Sequence, residues 1–350
     1  MVNSLKKRYK NQTLKWLLII SFPFQFLVTR SEEFKNSSFI EFYNDNYLSI
    51  SNLRNRFFSF FTISIGDILY FLFTILLLNY IYKNRSYYFN FKTHFFLDII
   101  ALVSFINIFF QISWGLNYLS KPLETKLNIN KSYSVEDLEK TISYLINKTN
   151  YLHQKLSKSD TSAINFPFNK KEAVLMLEEE KIGIAKNSLW SNALCYLGYS
   201  GYINPFTNEA QVNKRIPMIN YLTTIAHEQS HQTGIAREDE SNFMAFIKTT
   251  SNSNEYIQYA GYCFALRYCL SDLFKKKPNN AKIFLKDISQ GVIKNFNESD
   301  QFWSKYQNPI EPFFKKIYDR FLKINNQKSG IKSYSEMVSL LVFDLKKHID

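Results

Sequence analysis

"TIAHEQSHQTGIAREDESNF", residues 224–243, carries two of the chain's five histidines, four positions apart, with a glutamate directly after the first. On an α-helix, positions i and i+4 share one face, so His227 and His231 can present two imidazole nitrogens to one metal ion. Glu228 then lies beside the metal, near a bound water rather than in the first coordination shell. The stretch therefore predicts a metal-binding helix with a built-in general base.

The flanking residues predict a helix, a tight turn and a second helix. Pro217 suits the first turn of a helix, and Gly234 suits the residue that ends it, which predicts a helix over about 217–233. The apolar spacing after the glycine predicts the second helix over about 238–250. A glycine break lets the chain reverse, so the start of the second helix returns towards the two histidines.

Catalytic zinc takes three protein ligands and keeps a fourth position open. The second helix begins with Glu238, Asp239 and Glu240. We prefer Glu238 as the third ligand, keep Glu240 as the alternative, and read Asp239 as an acid that favours the helix dipole. Imidazole and carboxylate ligands accept several divalent metals, so zinc is the expected ion but not the sole possibility.

These ligands imply an assignment of roles. Zinc would polarise a carbonyl group and lower the pKa of its water, while Glu228 would take the proton and pass it to the leaving amine. A further donor should stabilise the oxyanion. Tyrosines on the next predicted helix are candidates, among which the sequence does not choose: Tyr256, Tyr259 and Tyr262.

Three stretches in the N-terminal third are apolar enough to predict transmembrane helices: 14–28, 60–82 and 95–114. The first is short and contains Pro23, so it could be a signal peptide, but no small-x-small cleavage site follows it and we favour an uncleaved anchor. Trp114 and Tyr118, at the end of the third, are interpreted as an interfacial aromatic belt.

The charges around these stretches predict the orientation. Basic residues without acids lie before the first span and between the second and third, whereas the loop between the first and second balances both signs. Positive loops stay in the cytoplasm. We therefore expect an inner (plasma) membrane protein with a cytoplasmic N-terminus, a membrane region over 1–118 and an exoplasmic (periplasmic) domain over 119–350.

Two carboxylates, Asp67 and Asp98, fall inside the predicted spans, where acids are costly and often functional. The net charge of +13 needs no nucleic acid to explain it, because much of the basic excess surrounds the spans. The expected partners are therefore the lipid bilayer and a peptide or protein substrate, with no nucleic acid. The cysteines, Cys195, Cys263 and Cys269, match no zinc pattern and fit either one disulfide or buried thiols.

The rest of the chain predicts a mainly α-helical domain. A short strand or hairpin is expected at "GYINPFTNEAQVN", 201–213, directly before the metal helix, where an edge strand could bind a substrate backbone. Helices are predicted at 134–156, 169–183, 185–197, 255–277, 281–295, 300–325 and 332–348. We read His153, on the first of these, as a surface or packing residue.

Several stretches together resemble an uncharacterised bacterial membrane-protein family, domain of unknown function 3810: "GDILY", "WGLNY", "GYINPFTNEAQVN", "HEQSHQTGIAREDESNF" and "GIKSYSEMVSLL". The resemblance extends over most of the chain and implies a metallopeptidase-like protein. "HEQSH" with "EDESN" is also similar to gluzincin peptidases. That likeness implies Glu238 as third ligand and Asn242 as its supporting residue, although Ser241 and Asn242 depart from the Ala-Asp of that pattern and the linker between the helices is short.

The sequence thus predicts a membrane-anchored zinc metallohydrolase, a peptidase, with a helical zincin-like domain. Two alternatives stay open. One is a structural or interaction protein whose zinc only joins two helices. The other is a zinc hydrolase of non-peptide envelope bonds.

Overall fold

A computed structural model of the chain describes residues 2–129, 132–178 and 183–349, with the backbone alone for residues 2–11. The described part is mainly α-helical, as predicted, and holds one small sheet. Six helices form the N-terminal part: α1 (Val2–Arg30), α2 (Glu32–Lys35), α3 (Ser38–Ser59), α4 (Ile65–Lys83), α5 (Arg85–Asn90) and α6 (Lys92–Ser113).

Two of these helices, α4 and α6, are long and apolar enough to cross a membrane. Only 11% of the most apolar window of each is buried, so most of their large apolar side chains face outward. The predicted spans 60–82 and 95–114 correspond to these helices. The predicted span 14–28 lies inside α1, which is 29 residues long but is not among the described helices that are apolar enough to cross a membrane.

Contacts between α1 and α6 show that the two helices run parallel. Lys15 Nζ lies 2.5 Å from Asp98 Oδ1, and Gln25, further along α1, donates to Ser104 Oγ at 2.7 Å. Asn107, further along α6, donates to Gln25 Oε1 at 2.7 Å. The short α5 reverses the chain between α4 and α6. The start of α4 and the end of α6 therefore lie at the same end of the bundle.

Beyond α6 the chain forms a helical domain with a three-stranded sheet. A 3-10 turn (Gly115–Leu119) leads to α7 (Leu123–Lys126), α8 (Val135–Leu156), α9 (Lys170–Met176), β1 (Lys186–Asn187), α10 (Ser191–Leu197), β2 (Gly201–Ile203) and β3 (Ala210–Val212). β3 lies in the middle of the sheet, parallel to β1 and antiparallel to β2. The predicted hairpin over 201–213 is thus confirmed, with β2 at an edge.

The remaining helices enclose the core. They are α11 (Met218–Gln232), α12 (Glu238–Thr250), α13 (Glu255–Lys276), α14 (Pro278–Phe284), α15 (Gln290–Ser304), α16 (Glu311–Ile324) and α17 (Met337–Ile349), with 3-10 turns at Leu285–Asp287 and Gly330–Glu336. Apolar residues of α8, α11, α12, α13 and α17 form one buried cluster. Ser134 and Asp137 begin α8 with the reciprocal hydrogen bonds of a capping box.

Several predicted helix bounds are wrong. Residues 186–187 form a strand rather than a helix, because Lys186 is buried in an ion pair and the helix begins only at Ser191. The predicted helix 281–295 is interrupted at Ile288, which is extended. The prediction over 300–325 spans two helices separated by Pro309. Gly330–Glu336 is a 3-10 turn before α17, and part of 169–183 lies outside the described residues.

The start of α4 is fixed to the sheet by buried charges, which we call the α4 clasp: Asp67, Lys186 and Glu209. Glu209 accepts hydrogen bonds from the Ile65 and Gly66 amides at 3.1 and 2.5 Å and pairs with Lys186 Nζ at 2.6 Å. Carboxylates are favourable at a helix N-terminus, where amide hydrogens lack partners within the helix.

Asp67 completes the α4 clasp at the end of the helix that meets the sheet. Its carboxylate accepts hydrogen bonds from Ser188 Oγ, the Leu189 amide and the Tyr202 hydroxyl. The sequence placed Asp67 inside a predicted span. The structure shows it as a fully buried link between the first turn of α4 and the sheet. Asp98 pairs with Lys15 and accepts a hydrogen bond from Tyr88.

Candidate metal centre

Helices α11 and α12 carry the candidate ligands and are joined by a turn at Gly234. Gly234 has φ +92°, a conformation that favours glycine. A Cβ atom there would lie 2.7 Å from the Tyr47 ring of α3. The turn therefore needs glycine for both its backbone angle and the close approach of α3, and it places the first turn of α12 against the last turn of α11.

His227, His231 and Glu238 meet in one buried cluster. The Nε2 atoms of the histidines are 3.1 Å apart, and Glu238 Oε2 lies 3.2 Å from His227 Nε2 and 3.5 Å from His231 Nε2. Donors around a tetrahedral zinc ion, at bond lengths of about 2.0–2.1 Å, lie roughly 3.3 Å from one another. The three atoms therefore have the spacing that a zinc ion requires.

The hydrogen bonds on the outer side of His231 fix its tautomer. Its Nδ1 lies 2.7 Å from the Ile235 carbonyl oxygen, which can only accept. Nδ1 must therefore carry the hydrogen, and in the neutral imidazole Nε2 presents a lone pair.

The same reasoning applies to His227. Its Nδ1 lies 2.8 Å from Asn242 Oδ1, and the amide nitrogen of Asn242 donates to the Tyr334 carbonyl at 3.0 Å. The amide orientation is thereby fixed, so Nδ1 donates and Nε2 again presents a lone pair. Such partners on the second nitrogen are typical of metal-binding histidines.

Three lone-pair donors thus face one another. Within the described residues, Glu238 Oε2 is buried and has no hydrogen-bond donor. Without a positive charge between them, the two imidazoles and the carboxylate would repel one another. Either a cation lies among them or the histidines take up protons, and this dependence on positive charge is the main electrostatic property of the cluster.

The pKa values express the same dependence. Burial by itself lowers the pKa of His231, but the carboxylates of Glu238 and Glu228 outweigh it and raise that pKa to about 9. Burial raises the pKa of Glu238, yet the two imidazoles hold it far below the usual range of a carboxyl group. The buried site therefore favours positive charge next to the two Nε2 atoms, whether as a proton or as a cation.

Glu228 lies next to this cluster and shares a cavity wall with it. Burial raises the pKa of its carboxyl group to about 7, and its Oε2 atom has no hydrogen-bond partner in the described part of the chain. The β2 backbone passes close by: a Cβ atom on Gly201 would lie 2.8 Å from Glu228 Oε1. The missing side chain of Gly201 therefore leaves the room that this carboxylate occupies.

The other acids at the start of α12 lie elsewhere. Glu240 accepts a hydrogen bond from the Leu123 amide at 2.8 Å and lies 3.6 Å from Arg237 Nε. It points towards α7 and away from the two histidines. Asp239 lines a separate polar cavity next to α2 and α3. The structure thus brings Glu238, but neither neighbour, to the histidine pair.

Two tyrosines that the sequence did not single out contact the site. Tyr318 of α16 donates to Glu238 Oε1 at 2.8 Å, and the Tyr334 ring stacks on His227 at 6.0 Å. Burial and the Glu238 carboxylate raise the pKa of both hydroxyls far above the usual value, so they remain protonated donors. Tyr334 lies in the quoted stretch "GIKSYSEMVSLL", which was the available signal, whereas nothing in the sequence marked Tyr318.

The sequence offered three tyrosines as oxyanion donors, and none of them lines the cavity that Glu228 shares with the histidine cluster. Tyr259 is fully buried and donates to Asn295 at 2.9 Å, and Tyr256 and Tyr262 pack against the apolar core. The three cysteines are also buried and carry free thiols. His153 is buried and contacts the Ser162 carbonyl at 2.8 Å, which confirms its packing role.

The sequence predicted that Trp114 and Tyr118 form an interfacial aromatic belt, and this prediction is wrong. Both are about 3% exposed, and together with residues of α3 they form a second apolar cluster. Trp114 Nε1 donates to the His231 carbonyl at 3.4 Å, and its ring meets the His231 ring edge-on at 5.8 Å. The residue that ends α6 thus packs against the candidate metal centre.

A cavity of about 550 Å³ opens onto the cluster. Its walls are mostly aromatic and apolar, and they come from the start of α4, the end of α6, α10, β2 and α16: Tyr70, Phe110, Trp190, Leu194, Tyr199, Tyr202, Phe321 and Tyr334. Glu228, His227, His231 and Glu238 contribute the polar groups. A few convergent polar groups in a mainly apolar cavity are typical of small-molecule and substrate sites.

Comparison with known proteins yields one match. A family model described as "Protein of unknown function (DUF3810)" matches residues 42–342. Neither the curated proteins nor the solved structures gave a match. The match covers most of α3, the two apolar helices, the sheet and the cluster of His227, His231 and Glu238.

Proposed function

The chain belongs to a family of proteins of unknown function, DUF3810, and that membership assigns no activity. From the site itself, we propose that the protein is a membrane-anchored, zinc-dependent metallohydrolase that cleaves peptides. One observation carries the proposal. Three lone-pair donors, from His227, His231 and Glu238, face one another at 3.1–3.5 Å beside a buried glutamate and an accessible cavity.

The donor set fits zinc. Two imidazole nitrogens and one carboxylate are a common ligand set of catalytic zinc. We assign the ligands to His227, His231 and Glu238. The hydrogen bond from the Leu123 amide to Glu240 supports the choice of Glu238 over Glu240. Bound there, zinc would supply Lewis-acid chemistry, polarising a carbonyl group and lowering the pKa of a water molecule.

The chain's own residues supply the remaining functions. Glu228 accepts the proton of the attacking water and returns it to the leaving amine. Asn242 and the Ile235 carbonyl hold the two imidazoles in the tautomer that presents Nε2 to the cavity. Tyr318 already donates its hydroxyl hydrogen to Glu238 Oε1, so Tyr334, which lines the cavity, is the tyrosine that we propose as donor to an oxyanion. The edge strand β2 can align an extended peptide.

The cavity favours catalysis over a purely structural metal. Structural zinc sites are closed by four protein ligands, whereas catalytic sites keep one position open. In the described residues the cluster contains three donors and lies on a cavity wall. The apolar lining favours substrates with large apolar side chains next to the cleaved bond.

We propose that α1, α4 and α6 cross the membrane, that the N-terminus is cytoplasmic and that the metal centre lies outside the cytoplasm. The parallel course of α1 and α6 supports three crossings, with α3 and the C-terminal domain on one side. Fusions of a reporter to residue 350 measure this orientation. Reporter activity confined to the cytoplasm would reject it.

The test of the function is metal content by elemental mass spectrometry on purified wild type and two variants. We expect about one zinc per chain in wild type, loss in His227→Ala, and retention in Glu228→Gln. Retention with Glu228→Gln places Glu228 outside the metal's first shell. Wild-type protein without metal, purified in the absence of chelators, would reject the proposal.

Activity then separates an enzyme from a metal-stabilised scaffold. The readout is hydrolysis of a peptide library, followed by mass spectrometry. We expect Glu228→Gln to abolish cleavage while its zinc content stays at the wild-type level. If Glu228→Gln cleaves peptides as well as wild type does, the activity belongs to another site. A panel of ester and amide compounds tests the alternative of non-peptide substrates.

A further inference from the structure

Helix α16 carries an apolar stripe that no other described part of the chain covers. The stripe consists of Ile310, Phe313, Ile317 and Ile324, which are 42–61% exposed. They recur at three-, four- and seven-residue intervals and so share one face. The inward face of the helix is different, since Leu322 is fully buried and Tyr318 contacts Glu238.

The edge of the stripe is basic. Lys316 and Arg320 follow Phe313 and Ile317 by three residues each, and both are exposed. A helix with an apolar face bordered by lysine and arginine is typical of helices that lie in a membrane interface. Two copies pairing through this stripe would bring the basic edges together, whereas anionic headgroups complement them.

The position of α16 matches that of a membrane surface. Phe321 contacts Phe110 with ring centroids 5.8 Å apart, and Asn325 Oδ1 lies 3.4 Å from Gln111 Nε2. Phe110 and Gln111 belong to the last turn of α6, the end of an apolar helix that reaches the domain. The stripe therefore lies at the level at which the proposed membrane crossing ends.

We propose that α16 lies flat in the membrane interface, with its stripe among the acyl chains and Lys316 and Arg320 at anionic headgroups. The partner is the phospholipid surface itself. The inference rests on the proposed membrane insertion of α4 and α6, but not on zinc chemistry. With α16 in the interface, the cavity wall formed by Tyr318 and Phe321 lies at the bilayer surface.

The test is lipid quenching of a fluorophore attached to single introduced cysteines. Full-length Phe313→Cys and Ile317→Cys are labelled with an environment-sensitive maleimide and placed in nanodiscs of phosphatidylcholine and phosphatidylglycerol. The quencher is phosphatidylcholine with a nitroxide on its acyl chain, or iodide in the water. The unsubstituted chain controls for labelling, because its three cysteines are buried.

Matched controls come from the same helix and from a proposed span. Lys315→Cys lies on the face of α16 away from the stripe, and Leu76→Cys lies on the exposed surface of α4. We expect nitroxide lipid to quench the labels at 313 and 317 at least about twofold more than the label at 315, with the opposite order for iodide.

Every other outcome overturns the inference in a distinguishable way. Equal iodide quenching at 313, 317 and 315 means that α16 lies in water. Protection at 313 and 317 from both quenchers means that a protein, such as a second copy, covers the stripe. If lipid fails to quench Leu76→Cys as well, the membrane insertion of α4 fails, and with it the premise.

Discussion

Glu238 and Glu240 stand two positions apart on α12, yet their carboxylates point to different parts of the molecule. Glu238 faces two imidazoles, and Glu240 caps the Leu123 amide. The sequence favours Glu238 but leaves Glu240 open, because three consecutive acids at a helix start satisfy the same local pattern. Residues two positions apart on an α-helix point in nearly opposite directions, and the turn at Gly234 sets which of the two faces α11.

Glu238→Gln tests this separation at the level of one residue. Removing the negative charge leaves two neutral nitrogens to hold the metal. We expect zinc affinity to fall roughly 100-fold or more, since even outer-shell partners are worth 10–100-fold. Zinc affinity is measured by competition with a chelating dye. Glu240→Gln is the matched control and should bind zinc as wild type does; the reverse order would make Glu240 the ligand.

Tyr318→Phe tests the hydrogen bond that orients the Glu238 carboxylate. The hydroxyl donates to Glu238 Oε1 at 2.8 Å, and its loss should weaken zinc binding by about tenfold. Tyr306→Phe is the control, because Tyr306 contacts the Tyr196 ring and does not line the cavity at the cluster. Unchanged zinc affinity in Tyr318→Phe would show that the carboxylate is held by other contacts.

At the scale of elements, local signals predicted α8, α11, α12 and the β2–β3 hairpin. Each has its information nearby: a capping box, an apolar period of helical spacing, or a turn rich in Gly, Pro and Asn. The positions of α3 and α16 beside the metal centre were not predictable. They depend on contacts such as Tyr47 with Asn208 and Tyr318 with Glu238, which join residues far apart in the chain.

The α4 clasp is the element-scale feature whose strength can be measured. Asp67 is fully buried and accepts three hydrogen bonds, which a neutral amide cannot reproduce. We expect Asp67→Asn to lower the free energy of unfolding by about 2 kcal/mol. Chemical unfolding in detergent gives the value.

Asp300→Asn is the matched control for that substitution. Asp300 is 61% exposed and pairs with Arg267, so its loss should cost less than about 1 kcal/mol. Equal destabilisation by the two substitutions would show that the buried contacts of Asp67 do not hold α4 to the sheet.

At the scale of the whole molecule, the proposed metal centre does not belong to the C-terminal part alone. Trp114 from α6 covers His231, Tyr47 from α3 contacts the Gly234 turn, and the second apolar cluster joins both to Ala236. The division at residue 118, drawn from hydropathy, therefore runs through a packed cluster. Hydropathy locates apolar helices but carries no information on which residues pack across their ends.

A fragment of residues 119–350 tests this dependence. It lacks α3 and the end of α6, so it exposes the apolar surface that Trp114 and Tyr118 normally cover. We expect the fragment to aggregate or to bind zinc with much less than one ion per chain. Size-exclusion chromatography and elemental analysis give both quantities. A monomeric fragment with full zinc content would show that the N-terminal helices are dispensable for the metal centre.

The Gly234 turn also affects the order of assembly during synthesis. The three metal donors lie within residues 227–238, so short-range contacts that form early in folding bring them together. Tyr318, which covers the cluster, is made 80 residues after Glu238, a delay of roughly 4–16 s at ribosomal rates. If zinc binds there as proposed, an ion that enters in this interval is covered on one side when Tyr318 arrives. We therefore expect the ion to exchange slowly in the finished protein, and exchange with isotopic zinc measures the rate.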